Sequence, residues 1–229
     1  MTPEELQARV LYRDGLMLII DKPAGIAVHA GGKAGTHLME HLDALRFGLP
    51  RAPELAHRLD RDTSGCLVLG RHRKALAKLG DLFATGKVEK TYWAVVVGSP
   101  PTDEGTIDKP LQKLERRHGW RMVVDPHGQP SVTDWRVLGR TDRLSWIEAR
   151  PRTGRTHQIR VHLASMGWPI IGDGTYGRGT ADLVSSQLHL HARQVAVPMQ
   201  KGKPAVTAIA PVPEHMRALL AQCGWPGEG

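Results

Sequence analysis

Strand-sized apolar runs and helix-period stretches follow one another in this chain in no repeating order, and that irregularity constrains its fold more than any other feature. Strands are expected at Val10–Tyr12 and Met17–Asp21, on either side of the tight-turn dipeptide Asp14-Gly15. Ile26–Val28 reads as a further short strand leading into the flexible Gly31-Gly32. Cys66–Leu69 has the apolar run of a buried strand, and Val88–Val97 alternates with period two. Val132–Val137, Leu144–Ala149 and Leu188–Val197 complete the set. Helices are expected from an N-cap at Thr36 through Phe47, with Leu38, Leu42 and Leu45 on one face, and over Lys74–Thr85, stopped by Gly86. A third runs from an N-cap at Thr156 to Gly167, with Ile159, Leu163 and Met166 inward, and a fourth over Pro213–Cys223. These elements neither alternate as βαβ units nor segregate into sandwich-like runs. The pattern therefore predicts an α+β fold with a mixed, mostly antiparallel sheet. Gly98–Gly119 reads as a polar, irregular peripheral insertion, dividing one domain spanning residues 1–229 into two halves near 100–119.

Charge narrows the partners. Against 23 Asp and Glu stand 31 Lys and Arg, a formal charge of +8 and a pI near 9.8. Such a surplus suits a polyanion, nucleic acid above all, although it can also be a merely solvated surface. The density of Arg, Lys and His in Arg51–Lys90 and Arg150–Arg160 favours the first reading. With six Trp, three Tyr and two Phe, the chain is too poor in aromatics for a repeated base-stacking platform. No apolar run approaches the roughly 18 residues of a membrane helix, and the acidic N-terminus lacks a signal-peptide pattern. Two cysteines, Cys66 and Cys223, are read as reduced thiols of a cytoplasmic protein. A monomer is the default.

Two segments carry chemistry. Ala56-His57-Arg58-Leu59-Asp60-Arg61-Asp62-Thr63-Ser64-Gly65 places cations and two carboxylates in a loop directly before an apolar strand. Most charged clusters are solvated, self-neutralising turns. A loop feeding a buried strand cannot stray far from the core, so Asp60 is expected to be half buried, with Arg58 or Arg61 as partner. A guanidinium beside a carboxylate keeps it ionised, as a nucleophile or base at neutral pH requires. Thr63, Ser64 and Gly65 offer donors that shape the turn, and Asp62 is expected to hold the loop.

The second segment runs from Arg150 to His162. Gly154 permits a tight turn into a helix whose first turn has unpaired N–H groups, and the surrounding arginines make an anion site. Arg160 shares a stripe with Thr156 and Ala164, so it can point at a site while Ile159 and Leu163 face the core. The alternative is an exposed arginine on an amphipathic helix. Tyr92, in the strand opened by Glu89-Lys90-Thr91, is either a half-buried core aromatic or a ring that stacks on a base. Histidine pairs His157/His162 and His189/His191 lack the third ligand and acid of a zinc site. No dinucleotide fingerprint, P-loop or nucleophile elbow is present, so neither a metal nor a cofactor is expected.

These segments together resemble the motifs of the RluA-type RNA pseudouridine synthases. Ile20-Asp21-Lys22-Pro23-Ala24-Gly25-Ile26-Ala27-Val28-His29 resembles the family's first motif, and His57–Gly65 its catalytic motif. Lys90-Thr91-Tyr92 resembles the tyrosine-bearing strand, and Arg152–His162 the third motif. The resemblance implies a bent sheet with a central basic cleft and isomerisation of uridine in structured tRNA or large-subunit rRNA, without metal or nucleotide cofactor. It implies Asp60 as the catalytic carboxylate, Arg160 as its salt-bridge partner, and Tyr92 as the ring that stacks on the target base and assists proton transfer. Arg58 would help displace the flipped nucleotide and Ile159 would line the pocket. Arg61, Thr63, Arg155 and His157 complete the substrate-binding set. Base flipping is expected, at roughly a few kcal/mol, because a stacked uridine is inaccessible. Many relatives carry an S4 RNA-binding domain before the first motif, and the 18 residues ahead of Ile19 are too few for one. The competing reading is a non-catalytic RNA-binding or chaperone protein on the same fold; a DNA-binding regulator lacks a recognisable helix-turn-helix.

Overall fold

The computed structural model describes residues 1–30, 36–117, 119–177 and 185–228. In chain order the elements begin with α1 (Pro3–Gln7), β1 (Val10–Arg13), β2 (Met17–Lys22), a 3-10 helix (Leu38–Leu45), β3 (Glu54–Leu55), β4 (Ser64–Gly70) and α2 (Arg73–Ala84). Then come β5 (Glu89–Val97), β6 (Glu104–Asp108), β7 (Leu111–Arg116), β8 (Gly119–Val124), β9 (Val132–Arg140) and β10 (Leu144–Pro151). The chain closes with α3 (Gln158–Ser165), β11 (Leu190–Val197), β12 (Val206–Ile209) and α4 (Glu214–Gln222). The content is α+β, with largely antiparallel strands and flanking helices, as the sequence leads one to expect. Two compact units divide it: residues 1–90 with 192–211, and residues 91–191 with 212–229. The chain passes between the units at Lys90/Thr91, His191/Ala192 and Pro211/Val212, and residues 100–119 all belong to the second.

In the first unit β2 pairs antiparallel with β1 and β4, setting Ile20 opposite Val10 and Asp21 opposite Cys66. Every residue of β4 is buried, which is why it reads as an unbroken apolar run. One face of these strands places Met17, Ile19, Cys66 and Val68 against Ala75 and Leu79 of α2 and against Val195 and Val197 of β11. The 3-10 helix buries Leu38, Leu42 and Leu45, the face anticipated, but not as an α-helix capped by Thr36. His37 precedes it in extended conformation because it bridges Ala27, and the Leu38 amide donates to the Ala27 carbonyl at 2.8 Å. Ile26–Val28 forms this isolated bridge and a 3.4 Å bond from the Met39 amide to the Val28 carbonyl, rather than the strand that the sequence predicts. The Ile26 carbonyl is instead taken by the Lys22 ammonium. The expectation of a flexible Gly31-Gly32 lies outside the described residues.

In the second unit β10 lies between β5 and β9, and β6 pairs with β9, all antiparallel. One face packs Ala94, Val96, Ile147 and Ala149 against Ile159 and Leu163 of α3, with Trp135 and Trp168 in edge contact at 4.9 Å. The other face packs Val95, Leu144 and Trp146 against Met216 and Leu220 of α4. The segment read as an irregular insertion, Gly98–Gly119, supplies β6 and β7, and β7 pairs with β8, which begins at its last residue. Its hydropathy hides them because β6 buries only Ile107 and β7 is anchored by Leu111, too few buried side chains to write a period into the segment. Met166, expected inside, is exposed just past the end of α3.

Candidate active site

Lys22 ends β2 completely buried. Its ammonium donates to the carbonyls of Pro23 at 2.7 Å, Ile26 at 3.0 Å and Arg61 at 3.0 Å, which uses all three protons. Burial pushes its pKa down to about 8, against the opposing charges of Asp62, Asp60 and Asp21. A buried lysine is tolerated because three carbonyl dipoles replace water. The turn that follows needs Gly25 at φ 87°. The Gly25 amide donates to the Arg61 carbonyl at 3.0 Å, and Arg61 Nε donates back to the Gly25 carbonyl at 3.0 Å. Two loops 36 residues apart are thereby fastened by backbone and ammonium contacts.

The charged decapeptide runs between β3 and β4. His57 stacks on Phe83 with centroids 4.3 Å apart, and its Nε2 accepts the Val68 amide at 3.0 Å. Burial, with the charge of Lys90 adding to it, pushes the His57 pKa down to about 3 against a hydrogen bond with the Arg58 backbone. Its ring is therefore a neutral structural wedge under the loop. Leu59 is buried and Asp60 half-buried, while Arg58, Arg61 and Asp62 are exposed. The Thr63 amide closes the turn on the Asp60 carbonyl at 3.2 Å, and Thr63 itself is buried. Behind the turn, Gly65 at φ 105° lies so close to Ala192 that a Cβ would fall 2.3 Å from its carbonyl oxygen. Cys66 is buried and its thiol pushed up to about 12 by burial, so it is no nucleophile. The first unit thus presents Asp60 from a turn fixed on both flanks.

In the second unit Tyr92 stands half-buried on β5 opposite Ala149, against the cluster around Ala94 and Ile159. The entry to α3 departs from expectation. His157, not Gly154, makes the left-handed turn at φ 54°, ψ 18°, and no side chain of His157 or Thr156 caps the helix. Gln158 instead ties back the loop before the helix, its Oε1 accepting the Arg155 amide at 3.0 Å and the Thr153 hydroxyl at 2.7 Å. Arginines expected to form an anion site are partly engaged. Arg152 pairs with Asp134 through Nε at 2.6 Å and Nη2 at 2.8 Å, and Arg150 reaches Glu148 at 2.8 Å. Exposed Arg155 donates to the Pro130 carbonyl at 3.3 Å. Ile159 is buried in the core facing β5 and β10.

Arg160 is buried, 7 % exposed, rather than lying on a solvated face. It donates through Nε and Nη2 to Asp173 at 2.8 and 2.9 Å. Burial alone would raise the Asp173 carboxyl, but the hydrogen bonds and charge of Arg160, with the amides of Tyr176 and Thr175, hold it below the usual range. Asp173, Tyr176, His57 and Lys22 are the residues that sequence reasoning did not assign to the site. Lys22 carried a signal, a lysine that follows the apolar run Leu18-Ile19-Ile20 after Asp21. Asp173 followed Ile170-Ile171-Gly172 with nothing to mark its arginine partner. Histidines 162, 189 and 191 are wholly buried packing residues, His162 bonding Thr133 at 2.9 Å and the Lys109 carbonyl at 3.0 Å. Among the described residues no three His, Cys, Asp or Glu side chains come together as a metal ion would require. Among them, too, no helix is long and apolar enough to cross a membrane.

Residues 16–165 match the family model described as RNA pseudouridylate synthase. A Zymomonas mobilis protein called an uncharacterized RNA pseudouridine synthase is 44 % identical over 216 residues, 93 % of this chain and 98 % of that one. The Haemophilus ducreyi protein named ribosomal large subunit pseudouridine synthase C is 38 % identical over 226 residues, 95 % of this chain and 70 % of its own. Among solved structures, human RNA pseudouridylate synthase domain containing 4 superposes with a TM-score of 0.80 at 26 % identity, covering 96 % of this chain and 95 % of that one. Lys22, Asp60, Tyr92 and Arg160 all fall inside the matched span; Asp173 and Tyr176 lie beyond it.

Proposed function

This chain belongs to the RNA pseudouridylate synthase family and is an isomerase acting on RNA; we propose that Asp60 is the carboxylate that carries its reaction. Pseudouridine formation breaks the C1′–N1 glycosidic bond, turns the uracil and joins C1′ to C5. The C5 proton leaves to solvent and N1 regains one, so the change is redox-neutral and the product is an isomer of the substrate. What supports Asp60 in this role is its setting: a half-buried carboxylate on a turn fastened through Arg61 to the Gly25 loop and through Lys22 to β2. Positioning of this kind lowers the cost of reaching the reactive geometry. Tyr92 and Arg160 are its partners in the reaction, Tyr92 as the ring that stacks on the everted uracil and assists proton transfer. Arg58, Arg61 and Arg155 are exposed cations suited to RNA phosphates.

The substrate we propose is a structured stem-loop of large-subunit rRNA or tRNA, entered by flipping the target uridine. Likeness to the Haemophilus ducreyi protein, named for the ribosomal large subunit, favours rRNA. The chain works as one catalytic domain, as a monomer in the cytoplasm, where both RNAs reside. The deciding experiment is release of tritium from RNA labelled at uridine C5. Asp60→Asn should abolish release while RNA binding and the thermal melt persist. Full turnover by that variant would remove Asp60 from the chemistry. Separate rRNA and tRNA transcripts identify which is modified.

A further inference from the structure

Arg160 is gripped along one edge of its guanidinium. Nε donates to Asp173 Oδ2 at 2.8 Å and Nη2 to Asp173 Oδ1 at 2.9 Å, a side-on pair. The carboxylate is itself oriented, because its Oδ1 also accepts the amides of Thr175 at 2.9 Å and Tyr176 at 3.0 Å. The same loop lays the Tyr176 ring against the guanidinium, with Cζ of Arg160 5.1 Å from the ring centroid. The ring is held in turn: its hydroxyl shares a 2.8 Å hydrogen bond with His157 Nδ1 and accepts the Met122 amide at 3.0 Å. His157 sits one residue before α3 in the left-handed region, a conformation that persists only where the surroundings enforce it. The backbone entering the loop has no latitude either. Gly172 lies at φ 73°, and a Cβ there would fall 1.9 Å from the Gln187 carbonyl oxygen.

Neutralising one buried guanidinium needs a single carboxylate. Here the carboxylate's remaining acceptor capacity is spent on the loop whose ring covers that guanidinium, so edge and plane are both set. We propose that Asp173 and Tyr176 are positioning residues of the isomerisation: they fix the orientation in which the Arg160 guanidinium serves it. The proposal rests on the reading in which Arg160 serves the chemistry.

The test is steady-state kinetics of tritium release for the unmodified protein, Asp173→Asn, Arg160→Lys and the double variant, each with a thermal melt. If Asp173 acts through Arg160, each single change lowers kcat at least tenfold, with KM for RNA within threefold. The double variant is then no slower than Arg160→Lys alone, because the two losses are one loss. Additive losses that track the melting temperature overturn the proposal and leave Asp173 a stabilising residue only. An unaltered kcat for Asp173→Asn beside a depressed one for Arg160→Lys overturns the proposal while sparing the role of Arg160. Full turnover by Arg160→Lys removes that role itself. Should Asp173→Asn fail to fold, Tyr176→Leu decides. It removes the ring while the backbone amides still reach Asp173, and it should lower kcat at least threefold in the unmodified background and not at all beside Arg160→Lys. Any other pattern refutes the assignment.

Discussion

The ammonium of Lys22 donates a 3.0 Å hydrogen bond to the carbonyl of Arg61, the residue that directly follows Asp60. Together with its bonds to Pro23 and Ile26 it makes Lys22 the peg on which two loops of the first unit hang. Replacing it by methionine keeps the aliphatic volume and removes the three donors. Each buried carbonyl left without a partner costs about 1–3 kcal/mol, and partial rehydration trims the sum. Lys22→Met should therefore lose about 3 kcal/mol in urea unfolding, with turnover falling by more than the unfolded fraction explains. An unchanged urea midpoint would show that the peg holds nothing.

His57 makes the stability of the first unit sensitive to acid. Its folded pKa is depressed to about 3, below the ordinary value of 6.5. As pH falls below 6.5 the unfolded chain takes up a proton that the folded chain refuses until about pH 3. The contribution is thus complete above pH 6.5 and drains away between 6.5 and 3, at about 1.4 kcal/mol per pH unit for one proton. His57→Gln keeps an acceptor for the Val68 amide but cannot titrate. Its stability should fall with acid less steeply by one proton across that window; parallel curves for the two proteins would contradict the assignment.

Gly65 tolerates no side chain. Its φ of 105° is already unfavourable for any L-residue, and a Cβ would lie 2.3 Å from the Ala192 carbonyl oxygen. Gly65→Ala should cost about 3 kcal/mol or more, measured by thermal or urea unfolding, because backbone on both sides must shift. Gly15, where a Cβ meets nothing within 4 Å, is the control, and Gly15→Ala should stay within about 1 kcal/mol of the unmodified protein.

Tyr92→Phe separates the two duties proposed for that ring. Stacking on a base needs only the π-face, worth about 1–3 kcal/mol, whereas proton transfer needs the hydroxyl. RNA affinity by filter binding should therefore stay within about threefold, while the rate of tritium release falls by about a hundredfold. Equal losses in binding and rate would mean that the hydroxyl works in binding alone.

Much was legible without coordinates. The turn at Asp14-Gly15, the wholly buried β4, the helix stopped at Gly86 and the leucines of the 3-10 helix all follow from local pattern: a turn dipeptide, an unbroken apolar run, and the period that burial of one face writes into a helix. The edge strand β6 escaped notice for the complementary reason. β6 buries one side chain, so its hydropathy resembles that of a loop.

The chain's order of residues was sufficient to determine its α+β class, its basic character and the motif-bearing segments around Asp60, Tyr92 and Arg160, since all of these depend on neighbours within a few positions. Tertiary structure alone decided which groups fasten those segments. Lys22 reaches Arg61 across 39 positions and Arg160 reaches Asp173 across 13. Neither pairing leaves a local trace, because a hydrogen bond between distant residues imposes no periodicity on the chain between them. It exists only once the backbone has brought donor and acceptor within 3 Å.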